Sequence, residues 1–134
     1  MLNFLIFLLL FPSDSLSDLH VNVKGVEELK GSMFIAVFDD PASFPEFGNQ
    51  YREMVLPVKS KELSHTFKNL PNHAYAIAVF HDINDNGILD KNALGIPLEP
   101  YGFSRNARAR FSAPPFADAK IELKNNLDIE INIQ

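Results

Sequence analysis

Two short segments constrain the fold more than any other feature, because each of them is apolar at every position. They read MFIAVF at residues 33–38 and YAIAVF at residues 75–80. A short apolar run of this kind, bounded by turn residues, is typical of a strand that is covered on both faces. The two segments therefore predict strands at the middle of a sheet.

Elsewhere apolar and polar residues alternate, which is the pattern of a strand with one buried face. Alternating stretches lie at 19–23, 63–67, 121–123 and 127–133, and a further short strand is predicted at 55–58. Turn residues separate these stretches at short intervals. We therefore predict an all-β fold, a single antiparallel β-sandwich of about seven strands.

Two regions do not follow this pattern. Aromatic residues at helical spacing, interrupted by Gly48, predict a short helix or a packed loop near 43–54. Further along, prolines at positions 97, 100, 114 and 115 hold the backbone in extended or turn conformations. They predict a long Pro-rich loop over 91–116, folded over the sandwich.

The N-terminus begins with MLNFLIFLLLF, an apolar run that is too short to span a bilayer. Its length suits the hydrophobic part of a secretory signal, and small residues provide a cleavage site before Asp18. We therefore predict a signal peptide at 1–17, a single domain at 18–134 and a secreted or periplasmic location. Because no Lys or Arg precedes the run, an uncleaved anchor and a buried first strand are the alternatives.

Composition excludes several classes of function. The chain has no cysteine, so it can form neither a disulfide nor a thiolate metal site. Its 134 residues carry a formal net charge of -5, which argues against a general nucleic-acid surface. We predict a monomer that binds no nucleic acid and whose mature chain does not span a membrane.

The stretch DINDNGILD, residues 82–90, carries side-chain oxygens at alternate positions before a glycine. Oxygen ligands for a hard cation must converge from a tightly curved backbone, and Asp or Asn at alternate positions before Gly provides both the oxygens and the turn. The ligands predicted for a cation such as Ca²⁺ are Asp82, Asn84, Asn86, the carbonyl of Ile88, Asp90 and, if the chain folds back, Glu99.

A complete EF-hand is excluded, because Ala93 stands where that motif has its bidentate Glu. A polar turn is the alternative to a cation site. Asp, Asn and Gly are also the residues of tight turns, and Asn86-Gly87 alone is a strong hairpin signal.

Three arginines lie close together in the stretch SRNARAR, residues 104–110. Guanidinium groups bind carboxylates and phosphates through paired hydrogen bonds. We predict that Arg105, Arg108 and Arg110, with Tyr101, form a site for an anion such as a carboxylate, a phosphate or an acidic glycan. An edge strand protected by charge and arginines that pair with nearby carboxylates are the alternatives.

No catalytic residue is predicted, because no side chain stands in a nucleophile or general-base pattern. The first interpretation is a non-catalytic binding or assembly module in which the Asp82–Asp90 loop, with or without a cation, pins the Pro-rich loop. Its partner would be an envelope protein or a glycan. The alternatives are an envelope structural subunit that pairs through an edge strand, and a hydrolase that uses Glu99 or His81 near the arginines.

Residues 70–119 carry a dense series of short motifs: LPNHAY at 70–75, HDINDNG at 81–87, LD at 89–90, GIPLE at 95–99, YGFS at 101–104 and PFADA at 115–119. This series resembles the bacterial domain of unknown function 2141 family, whose first turn has Gly where this chain has His73. The resemblance implies a secreted or periplasmic β-sandwich of the prealbumin or immunoglobulin-like kind, similar to transthyretin-like and carboxypeptidase-regulatory-like domains. It implies no known activity.

Overall fold

A computed structural model of the protein describes residues 13–134. Residues 1–12 of the predicted signal peptide lie outside this range, and cleavage before Asp18 stays a prediction. Two described residues of that segment, Leu16 and Ser17, begin the first strand, and a mature chain that started at Asp18 would lack them. Within residues 13–134 no helix is long and apolar enough to cross a membrane.

Over the described residues the chain forms eight strands, one short helix and one 3₁₀ turn. The strands are β1 (Leu16–Lys24), β2 (Ser32–Phe38), β3 (Arg52–Pro57), β4 (Leu63–Pro71), β5 (Ala74–Asp82), β6 (Tyr101–Phe103), β7 (Ile121–Glu122) and β8 (Leu127–Asn132). The 3₁₀ turn, Ser104–Asn106, follows β6, and the helix α1, Phe116–Ala119, precedes β7. The predicted all-β class is confirmed.

The strands form two sheets. One has three strands in the order β4-β1-β8, and the other has five strands in the order β3-β2-β5-β6, with β7 pairing with β5 off this path. β1 and β8 run parallel, which departs from the prediction of a wholly antiparallel arrangement. Alternation reports which side chains face the core but not the direction of a neighbouring strand, so the pattern did not reveal this pairing.

Both sheets contribute to one hydrophobic core. Its members from the three-stranded sheet include Leu19, Val21 and Ile131, and those from the five-stranded sheet include Met33 and Ile77. All of them are fully buried. Because burial of such a side chain contributes about 1.5–3 kcal/mol, the contact between the sheets is the main source of stability.

The central strands β2 and β5 are covered on both faces, as their sequences predict. Alternate side chains enter the core between the sheets, and the others form a second cluster on the outer face of the five-stranded sheet. The residues of β2 and β5 in this outer cluster are Ala36, Phe38, Ala76 and Ala78. Each strand therefore needs apolar residues at every position.

The region near 43–54, where a short helix or a packed loop was predicted, is a loop of turns that leads into β3. The backbone N–H of Phe44 donates to the carbonyl oxygen of Asp40 over 3.3 Å. The Phe44 ring lies 5.5 Å from that of Phe38 and 5.6 Å from that of Phe103. This loop therefore covers part of the outer cluster.

The predicted Pro-rich loop over 91–116 is interrupted by a strand. β6 lies within this range and pairs with β5, and Lys91 forms an isolated bridge with Pro97. β6 has only three residues and directly follows Pro100, so its sequence carries no strand periodicity. Gly102 lets it approach β8, because a Cβ there would lie 2.8 Å from the carbonyl oxygen of Asn132.

Gly31 is required where the start of β2 meets the end of β5. Its φ is +72°, and a Cβ at this position would lie 2.1 Å from the carbonyl oxygen of Asp82. Gly48 has a φ of +109° but nothing within 4 Å, so it is a matched control. We predict that Gly48→Ala costs only backbone strain of about 1–3 kcal/mol and that Gly31→Ala costs more. Urea unfolding measures both, and equal losses would contradict the close approach.

Candidate functional site

The Asp82 carboxylate is the centre of the turn that follows β5. Its side chain is 1% exposed. The oxygen Oδ1 accepts a hydrogen bond from the backbone N–H of Asn86 over 3.2 Å, and Oδ2 accepts one from that of Gly87 over 2.8 Å. These two bonds curl the chain around the carboxylate, and Gly87 adopts a φ of 80°.

A second carboxylate, that of Asp90, closes the loop. The amide nitrogen Nδ2 of Asn84 donates to Asp90 Oδ2 over 2.7 Å, and that of Asn86 donates to Asp90 Oδ1 over 2.8 Å. The amide oxygen of Asn86 accepts the backbone N–H of Ile88 over 3.1 Å. The alternating Asp and Asn residues thus share one hydrogen-bond network.

Glu99 joins this network from the other end of the following segment. Its side chain is 8% exposed, and its carboxylate accepts two backbone N–H groups, that of Ile83 over 3.0 Å and that of Asp90 over 3.1 Å. The chain does fold back between Asp90 and Glu99, which was the condition for Glu99 to join the predicted ligands. The five predicted side-chain ligands therefore lie together, and Ile88, predicted to bind through its carbonyl, is tied to the same network by its backbone N–H.

The network has the features of the predicted polar turn. Among residues 13–134 the ion pairs involve only Lys24, Lys30 and Lys120, so no cation of the chain pairs with Asp82, Asp90 or Glu99. No group of three or more His, Asp or Glu side chains that could hold a metal ion occurs in this part of the chain. Carboxylate oxygens keep lone pairs beyond the bonds they accept, so calcium binding stays a prediction.

The side chains of His81 and Glu99, the residues considered for hydrolysis, are bonded to backbone groups of the fold. His81 is 1% exposed, and its Nε2 lies 2.6 Å from the carbonyl oxygen of Lys30. Its backbone N–H donates to the carbonyl oxygen of Pro100. Neither residue lines the cleft of about 960 Å³ described below or a smaller cleft of about 300 Å³ beside Tyr75.

The three arginines lie on an irregular segment. Residues 107–113 form no strand, so the interpretation as an edge strand is wrong. Arg105 lies in the 3₁₀ turn with a φ of 60°. Arg108 donates to the carbonyl oxygen of Asn132 over 3.4 Å, and its guanidinium lies 6.0 Å from the centre of the Tyr101 ring. Arg110 lies 5.6 Å from the ring of Phe111.

A cleft of about 960 Å³, not predicted from the sequence, lies on the outer face of the five-stranded sheet. Its floor is aromatic: Phe34, Phe80 and Tyr101 are cross-strand neighbours on β2, β5 and β6. The rings of Phe34 and Phe80 stack with their centres 4.6 Å apart, and the ring of Phe47 meets that of Phe80 edge-on at 4.8 Å.

Three segments wall the cleft, within residues 45–50, 87–97 and 109–113. Four apolar side chains of these walls are largely exposed: Ile88 by 62%, Leu94 by 85%, Ile96 by 53% and Phe111 by 92%. A concave apolar site with a few polar groups is typical of ligand binding, and exposed apolar side chains in a cluster mark an interaction surface. Of the predicted site residues, Ile88, Tyr101 and Arg110 line this cleft.

The family of the chain follows from a match over most of its length. Residues 21–130 match a family model described as "Uncharacterized protein conserved in bacteria (DUF2141)". The chain belongs to the DUF2141 family. Neither a curated protein nor a solved structure matches the chain. The DUF2141 match spans the Asp82–Asp90 loop, Glu99 and the floor of the cleft, and the likeness to transthyretin-like domains stays a prediction.

Replacing Glu99 with Gln tests whether its carboxylate holds the loop. Glu99→Gln keeps the shape but replaces one acceptor with a donor that faces a backbone N–H. We predict a loss of about 1–3 kcal/mol in the free energy of unfolding and faster hydrogen exchange at the amides of Ile83 and Asp90. Glu27→Gln, at an exposed position, is the control. Unchanged exchange at both amides would contradict this role.

Proposed function

We propose that the protein is a secreted or periplasmic, non-catalytic binding module that holds its ligand in the cleft on the outer face of the five-stranded sheet. The observation that carries this proposal is the aromatic floor framed by largely exposed apolar side chains. A volume of about 960 Å³ suits a ligand, since ligand sites measure about 300–1,000 Å³.

The Asp82–Asp90 loop supports this function by positioning one wall of the cleft. Asp90 is tied to Glu99, and the backbone N–H of Leu98 donates to the carbonyl oxygen of Asp90 over 2.8 Å. Within the wall, the side-chain oxygen of Asn92 accepts the N–H groups of Leu94 over 2.9 Å and of Ile96 over 3.0 Å. These bonds fix the backbone of a segment whose apolar side chains are exposed and do not pack into a core.

The surroundings of the candidate catalytic groups support a non-catalytic role. Glu99 and His81 are buried, bonded to backbone groups and absent from the walls of the cleft. A general base must reach its substrate within hydrogen-bond distance. Both groups are therefore placed to stabilise the fold and not to act on a ligand in the cleft.

The location rests on the N-terminal apolar run and its predicted cleavage site. Cell fractionation with N-terminal sequencing of the exported chain tests it. An intact chain in the cytoplasm would contradict the secreted or periplasmic location.

Binding of the neutral apolar dye Nile red tests the cleft as a ligand site. Leu94→Asp and Phe111→Asp place a charge beside the bound dye, so we predict binding about tenfold weaker, which corresponds to about 1.4 kcal/mol. Leu98→Asp is the matched control, because Leu98 is 67% exposed on the same segment but does not line the cleft. Equal weakening in all three variants, or none, would contradict a site in the cleft.

A structural subunit that pairs through an edge strand is the second candidate. β3 ends the five-stranded sheet and has β2 as its only partner strand in the described residues, and its Val55 is 41% exposed. An unpaired edge can add a strand from another chain. Light scattering over a concentration series tests this role, and a monomer throughout would contradict pairing between copies of this chain.

Calcium in the Asp82–Asp90 loop is a further part of the proposal. With a Kd of roughly 0.1 mM, about 1 mM Ca²⁺ would add about 1.4 kcal/mol to the free energy of unfolding. We predict that the melting temperature rises and saturates with Ca²⁺, and that Asp90→Asn removes the rise. Asp118→Asn, on the exposed side of α1, is the control. An unchanged melting temperature in Ca²⁺ and in EDTA would leave the loop as a polar turn.

A further inference from the structure

The first strand contains residues that the predicted signal peptide would remove. β1 begins at Leu16, which is paired with Pro71, and Ser17 is paired with Leu70. Among the described residues β4 lies at the edge of its sheet, with β1 as its only partner strand. A chain that began at Asp18 would therefore leave the last two residues of β4 without a partner.

Ser17 is an integrated part of the folded domain. It is 5% exposed, and its hydroxyl donates to the side-chain oxygen of Asn72 over 2.6 Å. The amide nitrogen Nδ2 of Asn72 donates in turn to the carbonyl oxygen of Lys124 over 2.7 Å. Ser17 thus helps to fix a side chain that joins the end of β4 to the segment between β7 and β8. Its removal would leave the side-chain oxygen of Asn72 without this donor.

Two cuts in this part of the sequence have small residues at the first and third positions before them, which is the pattern of a signal-peptide cleavage site. Ser17 and Ser15 stand at these positions before Asp18. Ser15 and Ser13 stand at the same positions before Leu16. Both cuts closely follow the apolar run, so they differ mainly in what they remove from the fold.

A cut before Leu16 removes little of the fold. Residues 13–15 are exposed and belong to no strand. The carbonyl oxygen of Ser15 accepts the backbone N–H of Asn72 over 2.8 Å, and water can replace this exposed acceptor. All of β1 and the hydroxyl of Ser17 stay in the chain.

We propose that the mature chain begins at Leu16, two residues before the predicted start at Asp18. A signal peptidase hydrolyses the peptide bond between Ser15 and Leu16 with water, which leaves a carboxylate on Ser15 and an ammonium on Leu16. This inference rests on the secreted or periplasmic location in the proposed function. Since both cuts have the small residues that the peptidase needs, the product that keeps all of β1 is the one that forms the domain described here.

The mass and N-terminal sequence of the exported protein test the inference. The full chain is expressed with its own N-terminus in a bacterial host, and the protein is recovered from outside the cytoplasm. We expect a chain that begins at Leu16. A chain that begins at Asp18 would overturn the inference.

Two variants distinguish the cuts, and their products are identified by mass in denatured samples, so that folding does not affect the result. Ser13→Glu places a charge at the third position before Leu16 and should abolish the product that begins there. Ser17→Thr keeps the hydroxyl that binds Asn72 but places a branched residue directly before Asp18, and its cleavage should be that of the natural chain. The reverse pattern would overturn the inference.

Urea unfolding tests the structural reason. We expect the chain 18–134 to unfold at a lower urea concentration than the chain 16–134, because it lacks the start of β1 and the hydroxyl of Ser17. The chain 14–134 is the control and should unfold close to the chain 16–134. Equal midpoints for all three chains would contradict the role of Leu16 and Ser17.

Failure of this inference is distinguishable from failure of the proposed function. An exported chain that begins at Asp18 makes the cleavage assignment wrong and leaves the secreted or periplasmic location in place. An intact chain in the cytoplasm contradicts the location, and the inference fails with it.

Discussion

β5 is buried on both of its faces, and both the core between the sheets and the outer cluster are built on it. One set of its side chains closes the core between the two sheets, and the other set supports the outer aromatic cluster. β5 also pairs with β2, β6 and β7. A strand held on all sides gives a rigid base, and its last residue, Asp82, begins the turn that forms one wall of the cleft. Rigid scaffolds that carry irregular segments of this kind are a common arrangement for binding sites.

The wall at residues 87–97 is held by polar bonds, since its side chains Ile88, Leu94 and Ile96 are largely exposed and contribute little to a core. Glu99 is the most important of these attachments, because one carboxylate binds backbone groups at both ends of the Asp82–Asp90 loop. Exposed Leu94 and Phe111 are costly in an isolated protein and are explained if a ligand covers them. The cleft therefore joins a fixed aromatic floor to one wall, residues 87–97, that the hydrogen-bond network keeps in place.

The sequence predicted the parts of this structure that depend on local patterns. The apolar runs of β2 and β5 marked them as central strands, and the alternation of Asp and Asn before Gly87 identified residues that do share one network. β6 was missed because three residues beside a proline carry no periodicity. The cleft was missed because Phe34, Phe47, Phe80 and Tyr101 meet only through the strand order and the covering loop. Such non-local contacts leave no pattern in a single sequence.

An amide NMR titration of the protein with Nile red is the most direct test of a ligand site on the outer face of the five-stranded sheet. We predict that the shifts concentrate at Phe34, Phe80 and Tyr101 and along residues 87–97, while the three-stranded sheet is unaffected. Shifts centred on β1, β4 and β8, or spread evenly over the protein, would contradict a ligand site on the outer face of the five-stranded sheet.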